Sequence, residues 1–403
     1  MKRKLLSMIL AVAMVATMLT GCGGDSTTTT ADDTTADDAT ADDTTADDEA
    51  DVSADDEGGQ AASGDVQVGI VLPTKDEPRW LQDQAQFEAI LGDAGFTNQV
   101  LFSQGSSATE KTNVETLISQ GIDVLIICAQ DGSAAAAAVE AAKDAGVTVI
   151  AYDRLITGTE AVDYYVTFDS FSVGVAQGQY LIDNAPEGTG IPLYLYAGAA
   201  TDNNAFIFFE GAWSVLQPKI ADGTFVVANS SEAEALKDNG ELSRDEIGKI
   251  IGQVTTDWDF NVAKSKAEAH LTAAGADMKG DVLVLGPNDG TARSIADVFA
   301  TDKDITSFKV TGQDAEQASV QYVIDGKQSM TIFKDTRTLA ADSVAMAVAI
   351  LNGDTPATDT TYNNEAKDVP AKQTDIVVVT QDNVKEALID SEYYDASAFT
   401  GLE

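Results

Sequence analysis

Asp153 and Arg154 stand where the run Val147-Thr148-Val149-Ile150-Ala151-Tyr152 ends, and they carry chemistry that a strand does not need. Gly146 closes an Ala-rich helical stretch just before the run, whose β-branched residues read as a short buried strand. In an open parallel α/β sheet, ligands bind in the crevice beyond the carboxyl ends of the strands. A carboxylate only accepts hydrogen bonds, and a guanidinium offers a planar fork of donors. Together they suit neighbouring hydroxyls that both donate and accept, as in a sugar. A loop-end ion pair worth roughly 0–1 kcal/mol is the competing reading. The dipeptide alone does not separate the two.

Similar residues recur further along. Asn288 and Asp289 follow the strand-like Asp281–Leu285, although Asn-Asp-Gly is also a good turn. Gln313 and Asp314 follow the next such run, Ile305–Gly312. Asp202-Asn203-Asn204 opens a helix, where one of the three is expected to cap it. Trp258 lies among acidic residues in Thr256-Asp257-Trp258-Asp259-Phe260-Asn261, poor surroundings for a core residue. It suits a stacking platform instead, contributing ~1 kcal/mol or more by area. His270 is the single histidine, so metal clusters and histidine-based triads lack parts, and no cofactor is expected.

Positioning these residues requires strands that end together. The sequence predicts strands at Val66–Leu72, Val100–Phe102, Asp123–Cys128 and Val147–Ala151. They alternate with helices at Arg79–Ala94, from Ser107 to Gln120 and at Ser133–Ala145. Ser107-Ala108-Thr109-Glu110 reads as a capping box. The alternation restarts: Tyr164–Phe168 is extended, then come helix Val173–Asn184, strand Pro192–Tyr196, helix Asn204–Leu216 and strand Phe225–Ala228. After a polar stretch, Ser230–Arg244, read as loop and short helix, helix Asn261–Ala274 and strands Asp281–Leu285 and Ile305–Gly312 follow. Met330–Lys334, a helix from Thr338 to Asn352, a polar loop, strand Asp375–Val379 and a short helix from Asp382 complete the chain. Strands linked by helices describe parallel sheets with right-handed crossovers. Two successive sets predict two similar α/β lobes.

The N-terminus points to export. Met1-Lys2-Arg3-Lys4 precedes an apolar run, Leu5–Leu19, too short for a comfortable membrane span. Leu19-Thr20-Gly21-Cys22 then resembles the lipobox of bacterial lipoproteins, which would make 1–21 a signal peptide and Cys22 the lipid-bearing residue. An ordinary signal peptide cut nearby is the alternative. Through residue 64 the chain is acidic Thr-Ala-Asp repeat with almost no bulky aliphatics, which predicts a disordered, self-repelling tether over 22–64. The formal net charge of −42 argues against nucleic acid and against anionic membrane surfaces. Of the two cysteines, lipidation of Cys22 leaves Cys128 without a disulfide partner, most simply a small buried hydrophobe.

Val68-Gly69-Ile70-Val71-Leu72, Ala151-Tyr152-Asp153-Arg154, Thr167-Phe168-Asp169, Asp202-Asn203-Asn204, Pro287-Asn288-Asp289 and Gly312-Gln313-Asp314, in this order, resemble the ribose/galactose/xylose type of sugar-binding protein. These are the substrate-binding subunits of ABC importers. Arg79-Trp80 and Tyr152-Asp153-Arg154-Leu155-Ile156 are most similar to the xylose-binding and multiple-monosaccharide-binding branch. The resemblance implies a type I periplasmic-binding-protein fold, two Rossmann-like lobes joined by three hinge crossings near Phe168, Lys334 and Asp375. The first lobe would be 65–167 with 335–374, and the second 168–334 with 375–403. It implies a ligand ring of Arg79, Trp80, Asp153, Arg154, Asn204, Trp258, Asn261, Asn288, Asp289, Asp314 and Lys334. The pattern departs from the xylose type around Pro287, Gly290 and Asp335-Thr336-Arg337.

The expected function is therefore capture of a neutral monosaccharide, such as xylose, glucose or galactose, by a monomer that delivers it to an ABC permease and ATPase. No catalysis is expected. Presentation of the sugar-bound form to a membrane sensor shares every sequence feature, and a two-carboxylate exported glycosidase is the enzymatic alternative. The anchor is directly testable. Cys22→Ser should abolish lipidation and release the protein from the membrane fraction without changing ligand affinity. Unchanged membrane partitioning on fractionation contradicts the lipobox reading.

Overall fold

The structure, a computed structural model, describes residues 66–402. The lipobox with Cys22 and the acidic repeat lie outside them.

The chain begins with β1 (Val68–Leu72), α1 (Pro78–Asp93), β2 (Asn98–Phe102), α2 (Ser107–Ser119), β3 (Val124–Ile127), α3 (Ala136–Asp144), β4 (Thr148–Tyr152) and β5 (Tyr164–Phe168). These strands pair in parallel. Their side chains alternate between two cores, as a sheet covered on both faces requires. Val71, Leu125, Ile127 and Val149 face α2 and α3, while Ile70, Ile126, Ile150 and Tyr152 face α1 and a later helix.

The second set comprises α4 (Ser170–Asp183), β6 (Ile191–Leu195), α5 (Asn203–Ala221), β7 (Phe225–Val227), α6 (Ser231–Ala235), α7 (Arg244–Val254), α8 (Phe260–Ala273), β8 (Gly280–Leu285), α9 (Asp289–Thr301), β9 (Ile305–Val310), α10 (Gln317–Ile324) and β10 (Thr331–Phe333). Here the parallel sheet runs β7-β6-β8-β9. Leu193, Leu195, Leu283 and Leu285 face α5 and α7, and Tyr194, Val282, Val284 and Val310 face α8 and α9. The chain then returns through α11 (Thr336–Leu351), β11 (Thr360–Asn363) and β12 (Asp368–Thr374). These strands extend the first sheet to the order β11-β12-β5-β4-β3-β1-β2. Finally β13 (Val377–Val379) pairs antiparallel with β10. The result is a two-lobed α/β fold of the type I periplasmic-binding-protein architecture. The chain passes between the lobes from Phe168 to Ser170, from Phe333 to Thr336 and from Thr374 to Val377.

Several elements differ from the sequence reading. The polar stretch before β13 contains a hairpin, β11–β12, rather than a loop. Its order comes from pairing, with Ala371 against Tyr165 and both Val369 and Ala371 turned into the core. Helix α7 adds to the expected elements, and its signal is local. Ser243 and Glu246 form a reciprocal capping box, and Ile247, Ile250, Ile251 and Val254 make one buried face. Helix α10 is a further addition. In α2 the cap is Ser106, accepting from Thr109 N. Glu110 is buried instead, and its Oε2 accepts from Gln130 N at 2.7 Å. The helix expected from Asp382 is a single π-helical turn, Lys385–Ile389.

Helices α4 and α5 cross with their backbones nearly touching. A Cβ at Gly174 would lie 1.9 Å from the Phe208 carbonyl oxygen, and one at Gly211 would lie 2.2 Å from that of Phe171. Both obstacles are backbone atoms that cannot rotate away. Helix propensity alone predicts that Gly174→Ala gains about 0.5–1 kcal/mol. Overpacking at this crossing should instead cost about 1–3 kcal/mol or more, read as a lowered urea midpoint.

Candidate functional site

The strand ends converge on a cavity between the lobes, with about 360 Å³ of space that includes part of its open mouth. Both lobes line it. The first contributes Glu77, Arg79 and Trp80 from the start of α1 and Asp153 and Arg154 from the end of β4. The second contributes Asp202, Asn204 and Phe208 from α5, Trp258 before α8, Asn288 after β8, Gln313 and Asp314 after β9, and Lys334 after β10.

Arg79 is the centre of the charge arrangement. Its Nη2 donates to Asp153 Oδ2 at 2.7 Å, its Nε lies 3.5 Å from Asp83 Oδ2, and its Nη1 lies 3.7 Å from Asp314 Oδ1 across the cleft. Lys334 Nζ is 2.6 Å from Asp314 Oδ1, and Arg154 Nε is 3.3 Å from Asp202 Oδ2. Burial alone would raise the Asp153 carboxyl, but Arg79, Lys334 and Arg154 hold it below the ordinary range. Burial outweighs Arg154 at Asp202, whose carboxyl is pushed up. Asp83 has no exposed surface, and burial raises it to about 7 against the pull of Arg79.

The aromatic walls are held by the same charges. The Arg79 guanidinium lies 4.7 Å from the Trp80 ring centroid, and that of Arg154 lies 5.3 Å from it. Lys334 Nζ sits over Phe168 and Phe208 at 5.6 and 5.7 Å. Trp258 is half-buried and lies against Gly198, where an added Cβ would come within 2.0 Å of the indole. Trp258 Nε1 and Gln313 Oε1 are buried polar atoms without a hydrogen-bond partner among the described residues. Unpaired buried polar atoms at a cavity are what a polar ligand would satisfy.

Nine of the sequence-predicted residues line the cavity, and two do not. Asn261 is exposed in the first turn of α8, where its backbone N donates to the cap Asp259 at 2.7 Å. Asp289 is fully buried beneath the wall. Its carboxylate accepts from Gln328 Nε2, Glu316 N and Thr331 Oγ1 at 2.7, 2.9 and 3.0 Å, and it is not part of the cavity lining. Burial raises its carboxyl well above the ordinary range. Asn204 lines the cavity, but its Nδ2 donates to the Asp153 carbonyl at 2.7 Å, bridging the lobes. Asp202 is the α5 cap, accepting from Asn204 N at 2.9 Å.

A domain model described as "Periplasmic binding protein domain" matches residues 68–355. The chain is a periplasmic binding protein of the multiple-sugar and xylose-binding branch. It is 37% identical to the multiple sugar-binding periplasmic protein SbpA of Azospirillum brasilense, over 82% of this chain and 90% of SbpA. It is also 37% identical to the multiple sugar-binding periplasmic receptor ChvE of Rhizobium radiobacter, over 82% and 91%. A carbohydrate transporter solute-binding protein from Chloroflexus aurantiacus, solved in complex with D-glucose, is 68% identical with a TM-score of 0.82, over 83% of this chain and 98% of that one.

In this periplasmic binding protein, two of the residues that sequence reasoning missed, Phe208 at the cavity wall and Asp83 behind Arg79, have recognisable signals. Phe208 is one turn beyond Asn204 on α5. Asp83 occupies a buried register of α1 with Trp80, Phe87 and Leu91, a charged residue at a core position one turn after Arg79. Glu77 had no signal beyond its place in a charged loop. Among the described residues, no group of three or more His, Cys, Asp or Glu could hold a metal ion.

Asp83 should leave a pH signature. Its carboxyl binds more protons folded than unfolded between its ordinary value of 3.8 and about 7, so its contribution makes stability fall as pH rises through that window. Asp83→Asn should flatten this decline. Thermal melts of both proteins across the window check it, and an unchanged slope contradicts the assignment.

Proposed function

We propose that this protein is the solute-binding subunit of an ABC sugar importer, closing its two lobes on one neutral aldopyranose, with glucose the leading candidate. The observation that carries the reading is the cavity's composition. Three cations each stand beside a carboxylate, between indole and phenyl walls, where both lobes contribute. Such a wall offers donors and acceptors together, as vicinal hydroxyls require, and presents apolar faces to the C–H side of a sugar ring. The D-glucose held by the 68% identical Chloroflexus protein supports the same class.

On this reading Arg79, Trp80, Asp153, Arg154, Trp258, Asn288, Asp314 and Lys334 contact the sugar. The first lobe comprises 65–167 with 335–374, and the second 168–334 with 375–403. The crossings near Phe168, Lys334 and Asp375 act as hinges. Closure follows if the sugar binds the closed state better than the open one. The protein works outside the cytoplasm as a lipid-anchored monomer, tethered through Cys22, and passes its ligand to a membrane permease and ATPase. Presentation of the loaded form to a membrane sensor is a second role, favoured by the description of ChvE as a receptor.

Phosphorylated ligands fit poorly, because the site's cations are already matched and the acidic surface repels anions. Calorimetry should find glucose bound at least tenfold more tightly than glucose 6-phosphate, a difference of about 1.4 kcal/mol. Small-angle scattering should show compaction with saturating sugar. Tighter binding of the phosphate, or no heat with any free hexose or pentose, overturns the reading.

A further inference from the structure

The charges of the cavity do not balance. Its wall carries three cations, Arg79, Arg154 and Lys334, and four carboxylates, Asp153, Asp202, Asp314 and Glu77. Each cation has a carboxylate of its own: Arg79 with Asp153 at 2.7 Å, Lys334 with Asp314 at 2.6 Å and Arg154 with Asp202 at 3.3 Å. Glu77 is left over. No ion pair to it forms among the described residues, and it stands at the N-cap position of α1 without its side chain capping that helix. Pro78 follows it, so the first turn of the helix begins with a residue that has no N–H to offer. The Glu77 carboxylate is therefore half-buried at the cavity wall, with a side-chain hydrogen bond to Trp80 but no cation paired to it, which leaves acceptor sites on its two oxygens. Burial raises its carboxyl, Asp314 and Glu316 add to the rise, and Arg154 opposes it.

We propose that Glu77 is a further ligand-binding residue whose carboxylate accepts a hydrogen bond from the bound sugar, and that the cavity takes aminodeoxy aldohexoses whose ammonium group falls at that position. The inference rests on the sugar-binding reading and widens its ligand class from neutral sugars to aminodeoxy sugars. A carboxylate only accepts, so the group facing it must donate. A hydroxyl meets that requirement with one proton, and an ammonium meets it with three and a full positive charge opposite the carboxylate. An ammonium there also brings the cavity's charge to zero, whereas a carboxylate substituent would face Glu77, Asp314 and Glu316 together.

The test is calorimetry on the full chain with glucose and three analogues carrying a protonated amine at carbon 2, 3 or 6. The readout is each analogue's affinity relative to glucose in the same protein, which cancels general losses. In the wild type one isomer should exceed glucose by about tenfold, the equivalent of about 1.4 kcal/mol. Glu77→Gln and Glu77→Ala should each abolish that advantage, and Glu77→Asp should keep part of it. If glucose binds but no isomer exceeds it, the inference is overturned. It is equally overturned if the advantage survives in either neutral variant. Failure of the wild type to bind glucose or any other free sugar would instead remove the sugar-binding reading itself.

Discussion

A buried guanidinium tolerates little slack, and Arg79 sets the terms for the rest of this molecule. Taking such a charge out of water costs several kcal/mol unless carboxylates and hydrogen bonds replace the solvent. The carboxylates come from three places: Asp83 one turn along α1, Asp153 at the end of β4, and Asp314 in the opposite lobe. Only the first is local. The other two require the first sheet to end at the right height and the second lobe to stand against it. The arginine thus ties one helix, one strand end and the second lobe into a single electrostatic unit. Trp80 lies against Arg79 and Arg154, so an aromatic wall is oriented by the same charges.

The general architecture was legible because it depends on periodicity. β-Branched runs separated by helical stretches announce parallel strands, and their alternating inward residues are visible in Val124–Ile127 alone. What escaped was order imposed from elsewhere. The hairpin β11–β12 is polar and becomes a strand pair because β5 offers an edge. Helix α7 is different, since its capping box and isoleucine face were both present in the sequence.

The site was legible where a residue type at a strand end forces a conclusion, and illegible where two candidates stand together. Asn288-Asp289 looked like the second-lobe counterpart of Asp153, since both follow buried strands. The backbone identifies Asp314 instead. Asp153 and Asp314 are both left-handed, with φ of 62° and 99°. Each N–H bonds to the strand that follows: Asp153 N to Val166 O and Asp314 N to Ile332 O, both at 2.8 Å. Asp289 has a different duty. Its carboxylate accepts Glu316 N and Thr331 Oγ1, and Thr331 Oγ1 in turn accepts Ala315 N at 3.2 Å. It therefore holds the loop on which Asp314 is turned.

Left-handed backbone at a residue with a side chain costs about 1–2 kcal/mol, and Trp258 adds a third such residue to this wall, with φ of 60°. Strain of that kind persists only where the surroundings over-determine it. At Asp153 they do: the carbonyl turned outward by the αL conformation accepts from Tyr165 OH at 2.8 Å and from Asn204 Nδ2 at 2.7 Å. The second of these donors belongs to the opposite lobe. The turn that aims the Asp153 carboxylate at Arg79 is therefore held from both lobes. The Asp153 carbonyl is bound within the first lobe by Tyr165 and across the cleft by Asn204, so the geometry of the site depends on the second lobe as well as on the first.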